Sequence, residues 1–389
     1  MTTPAPSASA LVIGVTGFVG SYVAKALVEK GYKVHGTCRD PAVAAKWVPE
    51  MLQKCTPAGS PASMDDIIKL HALNFTADEE SYAAAKAAIK TILQQSDDSS
   101  ANKDSSTNSG LSTPPIKGVF MCAGYEKQEP ETIKVMESMA IATLEAVLEV
   151  GKERENFVAE PPIAVILTSS TGSTNPPPEI AKALPLAKSE LTHWSDPEFQ
   201  ILNKRFSPAA KTNMELKAFG FVGRNAQDEV VDSEKHENVK NKIRLSIMNP
   251  SWILAPQLQP GDVSGNGLPW LAKIVQGTAM SEQIPNDSMS IIYCQDLAAL
   301  HVACLENPTA SGRYFGVCRS WAWEEILETV QNIRGKDKYT MPPKNYEEPN
   351  PVTEFDLTRQ KELSGGKELM SLEGILRDTI GYLEEKQLV

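Results

Sequence analysis

Short apolar runs of strand length alternate along the chain with longer stretches in which apolar residues recur every three or four positions. That is the pattern of a parallel sheet covered by helices on both faces. Ala10–Val15 predicts the first strand, and Ser21–Lys30 a helix with Val23, Ala26 and Leu27 on one face and a stop at Gly31. Lys33–Cys38 and Ile68–Asn74 follow as strands, Glu79–Gln95 as an alanine-rich helix and Gly118–Cys122 as strand four. Glu131–Val150 is a long amphipathic helix and Ile163–Thr168 strand five, and Asp196–Gly223 contains a helix whose core begins after Pro208. Ile243–Met248 is strand six, and a loop-rich region starts at Pro250. Met289–Ile292 and Asp296–Leu305 predict a further strand and helix, and Arg359–Glu368 a solvated helix face with a Gly365-Gly366 turn. The expected architecture is α/β: a doubly wound parallel sheet over residues 1–250, then a small C-terminal lobe over 251–389 with some segments returning to the sheet.

Two stretches interrupt this rhythm. Ser96–Pro115 is Ser, Asp, Asn and Lys with almost no apolar side chain, and Arg224–Asn241 is dominated by charge, so both are expected as polar surface insertions. Composition excludes more than it suggests. With 41% hydrophobic and 22% charged residues in 389, the chain has the balance of a globular enzyme, and it lacks the apolar run of ~20 residues that a membrane span needs. Met1–Ala10 has no basic leader and runs straight into the first strand, so a cytoplasmic location is expected. A net charge of −11 without a Lys/Arg cluster argues against a nucleic-acid partner. The six cysteines form no CxxC pair and have no histidine at ligand spacing, so neither a metal site nor a disulfide framework is expected.

Candidate chemistry begins with Gly14-Val15-Thr16-Gly17-Phe18-Val19-Gly20, a GxxGxxG at a strand-to-helix junction. Its glycines permit a tight turn and close backbone approach to a pyrophosphate, which then rests on the free N–H groups of the following helix. This makes the sheet a Rossmann fold and puts Gly14, Thr16, Gly17, Phe18, Val19 and Gly20 at a dinucleotide. Where an acid would hold the ribose 2′-hydroxyl of NAD(H), strand two ends in Cys38-Arg39. The guanidinium of Arg39 suits a 2′-phosphate, so NADP(H) is preferred to NAD(H), the alternative being a solvated Arg39 paired with Asp40. Asn74 is placed either to hydrogen-bond the adenine or to cap a helix.

With these residues the chain resembles the extended short-chain dehydrogenase/reductases, the NAD-dependent epimerase/dehydratase superfamily, and within them the cinnamoyl-CoA and dihydroflavonol reductases. The resemblance rests on Val15–Ser21, Thr37–Pro41, Thr168-Ser169-Ser170, Trp194-Ser195-Asp196, Asn249-Pro250, Leu258-Gln259-Pro260, Asp296-Leu297, Glu306-Asn307-Pro308 and Gly312-Arg313-Tyr314. It implies NADP(H) with Ala123 and Pro250 beside it, a small-molecule carbonyl or thioester substrate, and a Ser–Tyr–Lys set. Ser170 matches the serine and Lys211 the lysine, but the tyrosine position four residues earlier is Ser207. Taking Lys217 as the lysine instead puts Asn213 there, so the tyrosine is missing in either register. Hydride delivery to a carbonyl leaves an alkoxide that needs a proton. Candidate donors are a water held by Ser207 and polarised by Lys211, then Tyr125, otherwise a half-buried packing residue, and His193, otherwise a surface histidine. Trp252 and Trp270 are candidates to stack an aromatic acyl group or to pack in the core. Three functions stay open: an NADP(H)-dependent oxidoreductase with an atypical site, a catalytically silent NADP(H) sensor or scaffold, and an epimerase or dehydratase. Oligomeric state is not legible.

Overall fold

The computed structural model describes residues 8–56, 67–95, 114–125, 127–154, 161–263 and 267–389. The insertion predicted at 96–115 falls almost entirely outside the described residues. The strands along the chain are β1 (Ser9–Ile13), β2 (Lys33–Cys38), β3 (Ile68–Ala72), β4 (Ile116–Met121), β5 (Ile163–Thr168), β6 (Ile243–Pro250), β7 (Trp252–Leu254), β8 (Ser288–Tyr293), β9 (Gly312–Gly316) and β10 (Arg319–Ala322). Seven of them form one sheet in the order β3-β2-β1-β4-β5-β6-β9, with every neighbouring pair parallel.

A parallel sheet must be covered on both faces, which explains why its strands read as near-continuous apolar runs. In β1, Ala10 and Val12 join one core while Leu11 and Ile13 join the other. The first face carries α1 (Phe18–Glu29), whose Val23 and Leu27 are fully buried; each such burial contributes about 1.5–3 kcal/mol. The second face carries α2 (Glu79–Gln95), α3 (Glu131–Arg154) and α4 (Phe206–Phe221). The strand order reverses between β1 and β4, and there the carboxyl ends open a crevice at the mouth of the glycine turn.

Past β6 the chain builds a second sheet in the order β10-β8-β7, with β7–β8 parallel and β8–β10 antiparallel. Helices α5 (Gly267–Val275), α7 (Trp323–Arg334) and α8 (Leu372–Glu385) surround it, whereas α6 (Cys294–Glu306) and β9 return to the large sheet. Tyr22 of α1 donates from its hydroxyl to the Pro256 carbonyl (2.7 Å) and Gln259 donates to Ser21 (3.2 Å), so the loop after β7 is tied down beside the glycine turn.

Several boundaries differ from expectation for identifiable reasons. Helix α1 starts at Phe18 rather than Ser21, because extended Gly17 caps it and the last glycine of the motif lies inside the helix. Helix α4 starts at Phe206, so Pro208 falls in its first turn, where a missing N–H costs nothing. The charged stretch 224–241 contains a helix, Ser233–Val239, whose Lys235 N–H is accepted by Asp232. The stretch from Arg359 is not wholly solvated: Gln360 is buried and donates to the Phe315 (2.9 Å) and Val317 (2.7 Å) carbonyls, sealing the end of β9. Among the described residues no helix is long and apolar enough to cross a membrane.

Candidate active site

At the carboxyl end of β1 the chain turns through Gly14 at φ +86°, where a side chain would also meet the Ala123 backbone at 2.8 Å. A Cβ on Gly20 would lie 2.1 Å from the Gly14 carbonyl oxygen, so helix and strand approach this closely only with glycine at both positions. The Gly17 N–H donates to that same carbonyl at 2.9 Å, and the Gly14 and Val15 N–H groups donate to Thr37 O at 3.1 and 3.0 Å. Helix α1 has no side-chain cap and no acid in its first turn. The N–H groups at its start therefore face the crevice with the positive end of the helix dipole behind them. These residues fit a dinucleotide pyrophosphate.

Beside this turn Arg39 is exposed at the end of β2, with no ion-pair or hydrogen-bond partner among the described residues. The alternative pairing with Asp40 is not formed: the Asp40 carboxylate accepts the Ala42 and Val43 N–H groups at 2.9 and 3.1 Å and caps a short helix. Asn74 is exposed past β3 and caps nothing, since Asp78 takes the Ser81 N–H ahead of α2. Ala123 follows β4, its N–H on the Ile13 carbonyl (2.9 Å), and Pro250 ends β6 against Gly316, so both stand on the same rim.

Ser170 follows β5 and caps a 3-10 turn, Thr171–Thr174, its Oγ accepting the Gly172 N–H at 3.0 Å. A Cβ placed on Gly172 would meet Ser170 Oγ at 3.3 Å and Pro208 Cβ at 3.4 Å, so this turn lies against the first turn of α4. One face of that helix presents Ser207 and, one turn on, Lys211. The Lys211 ammonium donates to the Thr168 carbonyl at 2.9 Å, which holds it over the end of β5. Ser170, Ser207 and Lys211 thus gather at one end of the crevice. Below them burial pushes the Cys122 thiol up to about 12, against the Lys211 charge. Buried His301, bonded to Thr168 Oγ1 at 2.9 Å, is pushed down to about 4 by desolvation.

A buried charge pair that sequence reasoning missed fixes this constellation. Glu215, one turn past Lys211 on α4, and Arg313 of β9 are both buried and join Oε2 to Nε at 2.9 Å. Glu215 Oε1 accepts from Ser169, from Ser173 Oγ (2.6 Å) and from Asn249 Nδ2 (2.7 Å). Arg313 also donates to the carbonyls of Glu190 and His193 (both 3.0 Å) and to Ser173 O (3.1 Å) and Oγ (3.0 Å), with its guanidinium 3.8 Å over Trp194. The sequence signals were the Gly312-Arg313-Tyr314 run and Glu215 after Lys211-Thr212, neither of which shows the pairing.

Two sequence candidates change status. His193 is buried rather than on the surface: its Nδ1 accepts the Ser189 N–H (3.1 Å), and desolvation lowers it. Trp252 and Trp270 are half-buried and pack on each other at 4.7 Å with their rings tilted by 53°, and Trp323, which the sequence did not single out, completes the cluster at 6.0 and 5.2 Å.

A seven-stranded parallel sheet with this glycine turn at its switch point defines a doubly wound Rossmann fold. The chain is similar to extended short-chain dehydrogenase/reductases of the epimerase/dehydratase superfamily. A family model described as GDP-mannose 4,6 dehydratase matches residues 11–76, the glycine turn and its surroundings. Tetraketide alpha-pyrone reductase 2 of Arabidopsis thaliana is 28% identical over 387 residues, covering 97% of this chain and 99% of the relative. Cinnamoyl-CoA reductase 1 of the same plant is 26% identical over 378 residues, covering 96% and 89%. The structure of yeast methylglyoxal/isovaleraldehyde reductase complexed with NADPH superposes with a TM-score of 0.66 at 16% identity, covering 98% of this chain and 100% of that one.

Proposed function

We propose that the protein is an NADP(H)-dependent oxidoreductase that reduces the carbonyl of a small aldehyde, ketone or acyl thioester. The observation that carries this reading is the meeting of Ser170 and Lys211 at the crevice end next to the glycine turn, in a chain whose full-length relatives are named as reductases. Arg39, exposed beside that turn and without an ion-pair partner among the described residues, supports NADP(H) over NAD(H). When bound, the nicotinamide supplies hydride. The turn Gly14, Thr16, Gly17, Phe18, Val19 and Gly20 takes the pyrophosphate, on the N–H groups at the start of α1, with the 2′-phosphate at Arg39 and the adenine near Asn74. Ala123 and Pro250 flank the nicotinamide half. Lys211 fixes the nicotinamide ribose, and Ser170 donates a hydrogen bond to the substrate carbonyl. The site is atypical in that Ser207 stands one turn before Lys211. Residues from about 251 onward, with the tryptophan cluster, serve as the substrate lobe.

Fluorescence titration with NADPH and NADH, followed by loss of 340 nm absorbance across a panel of aldehydes, ketones and acyl thioesters, tests the assignment. NADPH-selective binding with turnover that Lys211→Ala abolishes is expected. Binding without turnover would favour a sensor, and retained cofactor with product but no net oxidation would favour an epimerase or dehydratase.

A further inference from the structure

A serine at position 207 leaves open which group protonates the alkoxide, and the fold brings a phenol to that place from another element. Resting on the reductase reading, we propose that Tyr125 is the catalytic proton donor, with Lys127 as its cationic neighbour. The described residues after β4 approach α4 at two points, one at Lys211 and one at Ser207. At the first the Cys122 thiol lies 3.7 Å from Thr168 Oγ1 and within reach of the Lys211 charge. At the second Gln128 Oε1 accepts the Ser207 N–H at 3.3 Å. Those two anchors on α4 are one helical turn apart, ~5–6 Å between their Cβ atoms. Tyr125 lies between them along the chain, three residues from each of Cys122 and Gln128.

The ring is half-buried, packed at its base against the core of the second face. The Lys127 ammonium sits 5.2 Å from the ring centroid, and its hydrogen bond with the Tyr125 phenol, the largest influence on it, holds Lys127 above the usual lysine range. Among the described residues at this end of the crevice, Cys122 is held as a thiol, His301 is buried with its imidazole pushed down to about 4, and His193 accepts the Ser189 N–H at Nδ1.

The step balances. The carbonyl carbon receives hydride from the nicotinamide C4 of NADPH, the π pair moves to oxygen, and that oxygen takes the phenolic proton of Tyr125. The products are the alcohol, NADP⁺ and a phenolate beside Lys127, which water reprotonates.

Two measurements test the assignment. The first is independent of turnover: tetranitromethane labelling of the intact protein, read by peptide mass, with and without NADP⁺. Shielding of Tyr125 by NADP⁺ is expected, and unchanged nitration would overturn the proposal, because the phenol would not then lie at the nicotinamide. In the second, Tyr125→Phe is expected to lose roughly 100-fold or more in kcat, the scale of a missing general acid, with NADPH affinity unchanged. Lys127→Met should lower kcat less, and Lys127→Arg should restore it. A Tyr125→Phe protein as active as the parent overturns this proposal and leaves the reductase reading intact, whereas a parent that reduces no carbonyl sinks both.

Discussion

Arg313 offers the sharpest test of how the site is held together. Replacing it by methionine removes the ion pair to Glu215 and four hydrogen bonds to Glu190, His193 and Ser173. The volume is nearly kept, so a cavity is not the main cost. What remains is a fully buried carboxylate whose Oε1 still has Ser169, Ser173 and Asn249, while Oε2 has no other hydrogen-bond donor among the described residues. Breaking one side of a buried pair costs about 3–5 kcal/mol, and the three retained donors put the expectation at the lower end, about 3 kcal/mol. Against a total stability of about 5–15 kcal/mol that is a large fraction. With a urea dependence near 3 kcal/mol/M, the unfolding midpoint should fall by about 1 M. Pairing the change with Glu215→Leu removes the stranded charge, so the double variant should be more stable than Arg313→Met alone. A single variant that loses under about 1 kcal/mol, or a double variant that loses the sum of both singles, would refute the reasoning.

Other consequences follow from individual contacts. Arg39→Ala should weaken NADPH binding by about 10–100-fold, the worth of one charge-assisted contact, and leave NADH binding unchanged; equal losses for both cofactors in fluorescence titration would remove Arg39 from the 2′-phosphate. Gly20→Ala places a methyl 2.1 Å from the Gly14 carbonyl, so it should abolish NADPH binding and lower the melting temperature, and a protein that still binds with parental affinity would contradict the turn geometry. Burial lowers His35 to about 3 and His301 to about 4, so the folded state holds both imidazoles neutral. A base depressed in this way stabilises the fold fully above the unfolded value of about 6.5 and loses that contribution as pH falls toward 4. Stability should therefore drop across that window, and an imidazole NMR signal of His301 titrating near 6.5 would contradict its burial.

What the sequence could disclose follows the range of the interactions. The glycine turn is local chemistry, a strand end, two close backbone approaches and a helix start within a few residues, and it stands where the motif put it. Strands β2 and β5 and helix α2 match their predicted limits because each is bounded by residues that end an element whatever packs on it. Pro208 misled the reading of α4 because a proline stops a helix in its interior and is harmless in its first turn, and only the Phe206 start decides between the two. A histidine between a threonine and a tryptophan carries no burial signal, yet His193 is buried, with Arg313, arriving from β9, donating to its carbonyl. The same limit applies to the proton donor. Tyr125 was visible as a phenol after strand four, but its claim depends on a contact between Gln128 and Ser207 that spans 79 residues and leaves no periodicity behind. A search for the missing group within α4 could therefore only report Ser207. The parallel sheet supplies what that search lacked, since it delivers the ends of β4 and β5 to the same rim and makes any side chain just past β4 a neighbour of the lysine.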